Sequence, residues 1–385
     1  MKLQLPIYLD YAATTPVAEI VAEKMQRFLT VSGCFANAAS THRLGMDANK
    51  AVMAARLQVA ELIHAKPEEI IWTSGATESN NLALKGAVEL YQQKGRHIIT
   101  VKTEHPSVLD CCQYLEKQGF SLTYLTPEID GMLSLQKLKA AFRPETILVS
   151  IMHINNEIGV IQEIEKIAEM TAEHNILLHV DAVQSVGKIP IDVTTMAVDL
   201  MSFSAHKLYG PKGIGALYVR RKPRVRVGPL LHGGGQEQGM RSGTLPVHQI
   251  VGMGEAFALA KNLMQQDYQF ILSLREHFLK SIPLIHPFGN ITVPYHHKNI
   301  YPGIISVHFA NQNAHDLIER LPNVAFSVGS ACHTKGKGAS YVLRALGLSE
   351  RQALAAARFS FGRYTTLQQI DFVINEINQI MHSLR

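Results

Sequence analysis

Short apolar, β-rich runs recur at Ile70–Thr73, His97–Val101, Ile147–Ile154, Ile176–Val180, Leu200–Phe203 and Gly215–Val219. Between several of them the apolar residues fall at three- and four-residue spacing, which predicts helices over 44–64, 77–94, 106–118 and 163–174. Strands that alternate with helices need crossover connections, so the pattern predicts an α/β fold with a mainly parallel central sheet. After Gly254 a helical pattern runs to about residue 281, a connector into a second, smaller α/β domain that ends in the amphipathic helix 367–384. The segment 285–303, rich in His, Pro and Gly, reads as loops, and the alternation of Phe359 and Phe361 reads as a strand.

A chain of 385 residues exceeds one ordinary core, which sets the expectation of about two domains. Its four cysteines, Cys34, Cys111, Cys112 and Cys332, are too scattered for a disulfide scaffold and lack paired zinc spacing, so they read as reduced thiols. Residues 1–6 hold no apolar signal core, and no apolar stretch reaches the roughly 20 residues of a bilayer span. A cytoplasmic protein with no membrane partner is expected. The net charge of +5 is densest at Arg220-Arg221-Lys222-Pro223-Arg224-Val225-Arg226, which reads as a solvated connection and predicts no obligatory nucleic-acid partner.

The candidate chemistry lies at strand ends. Ser202-Phe203-Ser204-Ala205-His206-Lys207 closes one apolar run with a lysine placed to hold an aldehyde cofactor as a Schiff base. Asp181 closes another, where a buried carboxylate needs a partner such as a protonated pyridine nitrogen, or backbone amides that it caps. In Thr73-Ser74-Gly75-Ala76-Thr77-Glu78-Ser79 a strand turns into a helix whose first amides and Thr77 suit a phosphate, although a plain helix cap uses the same residue types. Together these suggest pyridoxal phosphate. His105 suits ring stacking or proton transfer, and Gln184 suits donation to a phenolic oxygen. Cys332 lies in Ser327-Val328-Gly329-Ser330-Ala331-Cys332-His333-Thr334-Lys335-Gly336-Lys337-Gly338, a loop whose cations favour a thiolate nucleophile. Arg358 can grip a substrate carboxylate, whereas Arg363 reads as a solvated strand-end charge. Cys111 and Cys112 read as packing residues; His42, His153 and His179 read as structural, and His296-His297 has no ligand spacing.

With these motifs and Tyr8-Leu9-Asp10-Tyr11-Ala12-Ala13-Thr14-Thr15-Pro16, the chain resembles, over nearly its whole length, the cysteine desulfurases of the housekeeping and nitrogen-fixation branch of class-V pyridoxal-phosphate aminotransferases. The resemblance implies the aspartate-aminotransferase-like fold, type I among pyridoxal-phosphate enzymes. It implies a large cofactor domain over 15–258, and a small domain of 1–14 plus 259–385 carrying a mobile cysteine loop at about 327–338. It implies that Lys207 bonds the cofactor, Asp181 pairs with its ring nitrogen and His105 stacks on it. Ala76, Thr77, Ser204 and His206 would hold the phosphate, and Thr244 would reach the neighbouring subunit's phosphate in a homodimer. Asn156 and Gln184 would contact the cofactor, and Asn156 and Arg358 would orient the substrate.

The implied reaction is a sulfur transfer. L-cysteine becomes L-alanine and Cys332 becomes a persulfide. The sulfur would go to acceptor proteins such as an iron–sulfur scaffold or a sulfurtransferase, with tRNA thiolation as a further destination; Cys332 would be a transient iron–sulfur ligand through its persulfide. Ala205 and Ala38 stand where the family more usually has Gly and Pro, both small changes. The chain ends at Arg385, where housekeeping members usually carry an extension that engages the scaffold, which leaves a nitrogen-fixation-type role or another acceptor open. Competing readings are a selenocysteine lyase or an aminotransferase of the same fold, and a non-catalytic interaction platform.

Overall fold

The structure is a computed structural model of the chain, and it describes residues 3–281, 289–291, 299–309, 312–328 and 338–383. In chain order the strands are β1 (Ile7–Tyr8), β2 (Ile70–Thr73), β3 (His97–Val101), β4 (Ser121–Leu125), β5 (Thr146–Met152), β6 (Leu177–Asp181), β7 (Leu200–Ser204), β8 (Gly215–Val219), β9 (Gly289–Ile291), β10 (Ile304–Phe309), β11 (Val324–Ala325), β12 (Ser327–Val328) and β13 (Ala356–Ser360). Seven of them form the main sheet, ordered β2-β8-β7-β6-β5-β3-β4. All neighbouring pairs from β7 to β4 are parallel, and β8 runs antiparallel to both β2 and β7.

The sheet is buried on both faces, which explains why its strands read as continuous apolar runs. Side chains alternate between two cores. Ile70, Trp72, Ile99, Val149, Leu178, Met201 and Phe203 meet the helices Arg43–Leu62, Ile164–Glu173 and Val247–Ser281 on one side. Ile71, Ile98, Leu148, Leu200 and Leu217 meet Ala76–Tyr91 and Pro106–Lys117 on the other. A period of two is what a pleated strand imposes.

The connector helix begins at Val247, ahead of the expected Gly254. Gly252 and Gly254 interrupt the apolar pattern because the helix passes so close to its neighbours there. A Cβ at Gly254 would lie 2.6 Å from Ala55, and one at Gly252 2.6 Å from the Met25 sulfur. Further along, Ile271, Leu274 and Phe278 enter a second core with Ile7, Leu9, Val307, Phe359, Phe361 and Ile370. That core backs an antiparallel sheet ordered β12-β13-β10-β9 and includes the closing helix Leu367–Ser383. The segment expected to be loops therefore contributes β9, paired with β10, while 282–288 and 292–298 lie outside the described residues.

Two charged positions differ from expectation. Arg220 is not a solvated start to a basic run, since its guanidinium donates to the buried Asp199. Arg363 bonds Asp267 at 2.7 and 3.1 Å and lies over the Tyr209 ring, 4.3 Å from its centroid. A third pair ties a loop to the sheet edge: Arg56 meets Glu237 at 2.7 and 2.8 Å, and Glu237 also accepts from the Trp72 amide at 2.8 Å.

His179 sits inside the sheet between the hydroxyls of Ser150 and Ser202, at 2.8 and 2.9 Å. Burial pushes its pKa down to about 3, and that of His153 to about 4. An unfolded imidazole takes its proton near 6.5, so below that pH the unfolded chain binds more protons and stability must fall. In a His179→Gln variant the urea midpoint should drop less between pH 7 and pH 5 than in the parent. An equal drop would place the acid sensitivity elsewhere.

Candidate active site

The carboxyl ends of the parallel strands open onto one cavity of about 590 Å³, the edge at which open α/β sheets carry their ligands. Ala76, Thr77, His105, Asn156, Asp181, Gln184, Ser204, His206, Lys207 and Arg358 all line it. Of the expected site residues, only Thr244 and Cys332 are not placed there. Thr244 is exposed and lines a separate recess with Asn37, Arg56 and Glu237. Cys332 lies outside the described residues, as do its neighbours His333, Lys335 and Lys337.

At one end, β2 passes through Ser74 and Gly75 into the helix Ala76–Tyr91. Gly75 has φ of +152°, a conformation that favours glycine, and the first amides of the following helix have no carbonyl partner within it. Such amides and the helix dipole attract an anion. Glu78 steadies the turn by accepting from the Ser74 amide at 2.7 Å and from Arg241 at 2.8 Å. Burial alone would raise its pKa, yet these bonds hold it below the usual value. Ser204 and His206 lie nearby in sequence on the β7 side; His206 contacts the Thr14 hydroxyl at 3.1 Å. Burial, then the cations Lys207, Lys212 and Lys188, lower its pKa to about 4, so it is neutral near pH 7.

Asp181, 3% exposed, ends β6. One oxygen accepts from Asn80 at 2.8 Å and the other from the Val183 amide at 3.1 Å. Lys207 follows β7 in a short 3₁₀ turn, and its ammonium donates to the carbonyls of Ala12, at 2.7 Å, and Ala13. Gln184 donates to the same Ala12 carbonyl at 2.8 Å.

His105 caps the helix Pro106–Lys117, with Nδ1 accepting from the Ser107 amide at 3.1 Å. With that bond made, the neutral ring carries its proton on Nε2. Burial lowers its pKa; Asp181 opposes that shift and Lys207 adds to it. Arg358, 4% exposed, spans the two sheets, donating to the Asn156 carbonyl and to Asp10, each at 2.8 Å. Its Nε and the side-chain oxygen of Asn156 are buried without a hydrogen-bond partner. Two unsatisfied polar atoms on residues lining one cavity mark a place for a polar ligand.

The family model for aminotransferase class-V matches residues 7–373. The cysteine desulfurase IscS of Serratia proteamaculans is 54% identical over 387 residues, covering 100% of this chain and 94% of that protein. The chain belongs to the cysteine desulfurase family of class-V aminotransferases. Among solved structures, a NifS-like protein superposes with a TM-score of 0.91 at 35% identity, covering 98% of this chain and 100% of that one. SspA in complex with cysteine superposes with a TM-score of 0.82 at 40% identity, covering 93% and 99%.

Cysteine desulfurases use pyridoxal phosphate, and the residues present fit it. An anion-binding helix start, a buried carboxylate for a ring cation and a lysine share one cavity. The reading from sequence missed Asn80, which holds Asp181, and Asp10, which holds Arg358. Asp10 lies in the Tyr8–Pro16 stretch that carried the family resemblance, the one signal that pointed towards it.

An Asp181→Asn variant should fold and take up the cofactor but lose about 10²- to 10³-fold in turnover, the size expected when one partner of a buried ion pair goes. Steady-state kinetics beside the visible absorbance of the bound cofactor would check this; unchanged turnover would remove Asp181 from the chemistry.

Proposed function

We propose that this cysteine desulfurase converts L-cysteine to L-alanine with Lys207, Asp181, His105 and Arg358 in the roles their positions suit, and with Cys332 as the sulfur acceptor. The observation that carries this reading is the convergence of the first four residues, from both sheets, on one cavity. Pyridoxal phosphate supplies the electron sink when bound. Ala76, Thr77, Ser204 and His206 hold its phosphate, Asp181 keeps its ring nitrogen protonated, and Asn156 and Gln184 complete the contacts.

Arg358 presents a guanidinium to the substrate carboxylate, with Asn156 beside it. Lys207, with its amine free, would take the substrate's α-proton as a general base. His105 would receive the substrate thiol proton at Nε2 in the tautomer that carries its own proton on Nδ1, where the Ser107 hydroxyl lies 2.8 Å away. Cys332 thiolate attacks the substrate sulfur. The new S–S bond forms as the C–S bond breaks, the electron pair stays with carbon, and proton return there yields alanine. L-cysteine and one enzyme thiol thus become L-alanine and one enzyme persulfide.

Other parts of the reading follow from the same assignment. The large domain covers 15–258 and the small one 1–14 plus 259–385, a division supported by the two separate cores. A homodimer is supported by exposed Leu29, Val31, Phe35, Met46, Met53 and Leu57, of which the last three share one helix face. In that dimer Thr244, turned away from its own cavity, serves the neighbour's phosphate. The terminal sulfur of the persulfide passes to an iron–sulfur scaffold or a sulfurtransferase in the cytoplasm, and the Cys332 thiol is restored. Among the described residues no helix is long and apolar enough to cross a membrane.

The deciding experiment supplies L-cysteine and a thiol reductant and measures alanine and sulfide together. Equal amounts should form, and a Cys332→Ala variant should lose both while keeping the visible absorbance of its cofactor. Undiminished products in that variant would instead assign a direct lyase reaction that needs no protein thiol.

A further inference from the structure

After Asp181 the chain makes one tight turn. The amides of Ser185 and Val186 bond back to the Ala182 carbonyl at 3.0 and 2.9 Å, and those of Lys188 and Ile189 to Ser185 at 3.0 and 3.1 Å. The reversal passes through Gly187 at φ +68°, where a Cβ would come within 2.6 Å of Leu208 and 2.9 Å of Ala260. This glycine-only bend brings Lys188 back against Gln184. Its ammonium donates to the Gln184 side-chain oxygen at 2.6 Å and lies 5.4 Å from the centroid of the Tyr301 ring.

An amide side chain has two nearly isosteric ends, and only its neighbours decide which way it points. An ammonium can only donate, so the oxygen of Gln184 must face Lys188. The Ala12 carbonyl can only accept, so the NH₂ group must face Ala12, where Lys207 also bonds. The two contacts agree, and together they exclude the flipped amide.

We propose that Lys188 is a positioning residue for the cofactor. By holding the Gln184 oxygen it keeps the NH₂ edge available to the phenolic oxygen of pyridoxal phosphate, for which a flipped amide would present oxygen to oxygen. This rests on the reading that Gln184 contacts the cofactor.

The surroundings of Lys188 make its charge a sensitive quantity. Lys207, Arg358 and His206 are the cationic or ionisable nitrogens that act on it or respond to it. Asp267, the acid in the small cavity shared with Lys188, is engaged by Arg363, and Tyr209, Tyr268 and Tyr301 line the same space. Burial foremost, then Lys207 and Arg358, lower the Lys188 pKa to about 7. As pH rises through that value the amine gains a lone pair, can accept as well as donate, and no longer enforces one orientation.

The test is a double-mutant cycle of Lys188→Met and Gln184→Leu. One readout is the dissociation constant of pyridoxal phosphate from the cofactor-free protein; the other is the pH titration of bound-cofactor absorbance. Lys188→Met should weaken cofactor binding about tenfold, the size of one charge-assisted hydrogen bond, and should displace the titration. In the Gln184→Leu background it should do neither. Equal losses in both backgrounds would show that Lys188 only packs, and would overturn the proposal. If Gln184→Leu shifts both readouts and Lys188→Met neither, this proposal alone falls; if Gln184→Leu shifts neither, the assignment of Gln184 falls and takes this with it. Should the Met variant fail to fold, Lys188→Gln, whose amide has no fixed preference, replaces it in the same cycle with the same expected non-additivity.

Discussion

The carbonyls of Ala12 and Ala13 lie where the two sheets meet, and both accept from the ammonium of Lys207. Just before them the chain is tied to the second sheet: β1 pairs with β11 in a two-stranded sheet of its own, Asp10 bridges to Ser360 of β13, and the Ala12 amide donates to the Ser360 hydroxyl at 2.9 Å. Just after them it belongs to the first: the Thr15 amide donates to the His206 carbonyl at 2.9 Å, and the Thr15 hydroxyl accepts from the Tyr209 amide at 2.7 Å. One segment, turning at 11–13, thus carries the position of the second sheet to Lys207. Arg358, reaching the cavity from β13 and held by Asp10 of the same segment, is placed by the same stitch.

Charge in the cavity is arranged around few anions. Asp181 has two hydrogen bonds, His206 and His105 are kept neutral by burial, and the carbonyl dipoles of Ala12 and Ala13 meet the Lys207 ammonium. Glu104, adjacent to His105, is fully buried; burial pushes its pKa well up, the Met152 amide opposes the rise and Asp181 adds to it, which favours the uncharged carboxyl. A site poor in mobile anions suits a ligand that brings a phosphate and a substrate that brings a carboxylate.

Much of this was legible in the sequence for a specific physical reason. Strands β2, β3 and β8 are buried on both faces, so their apolar runs end where the strands end. Edge strand β4 was not legible: Ser121 is exposed and only Leu125 is buried, so it lacks the apolar run. Asp181, His105 and Lys207 stood out because each breaks an apolar pattern at a strand end. Asn80 and Asp10 did not, since their partners lie 101 and 348 residues away and only the folded chain brings them together. Arg363 failed in the same way: its position after a strand suggested solvent, and the acid that engages it belongs to the connector helix.

That connector is a single rod touching both cores. Near Gly254 it is pressed against Ala55 with no room for a methyl group, and 20 residues on, at Leu274, it is embedded in the second core. At 1.5 Å per residue the two points are about 30 Å apart. Any side chain that wedged the helix away at the glycine would tilt the far end as a lever tilts its load. The absence of two carbon atoms, at Gly252 and Gly254, thereby sets the bearing of the sheet that delivers Arg358.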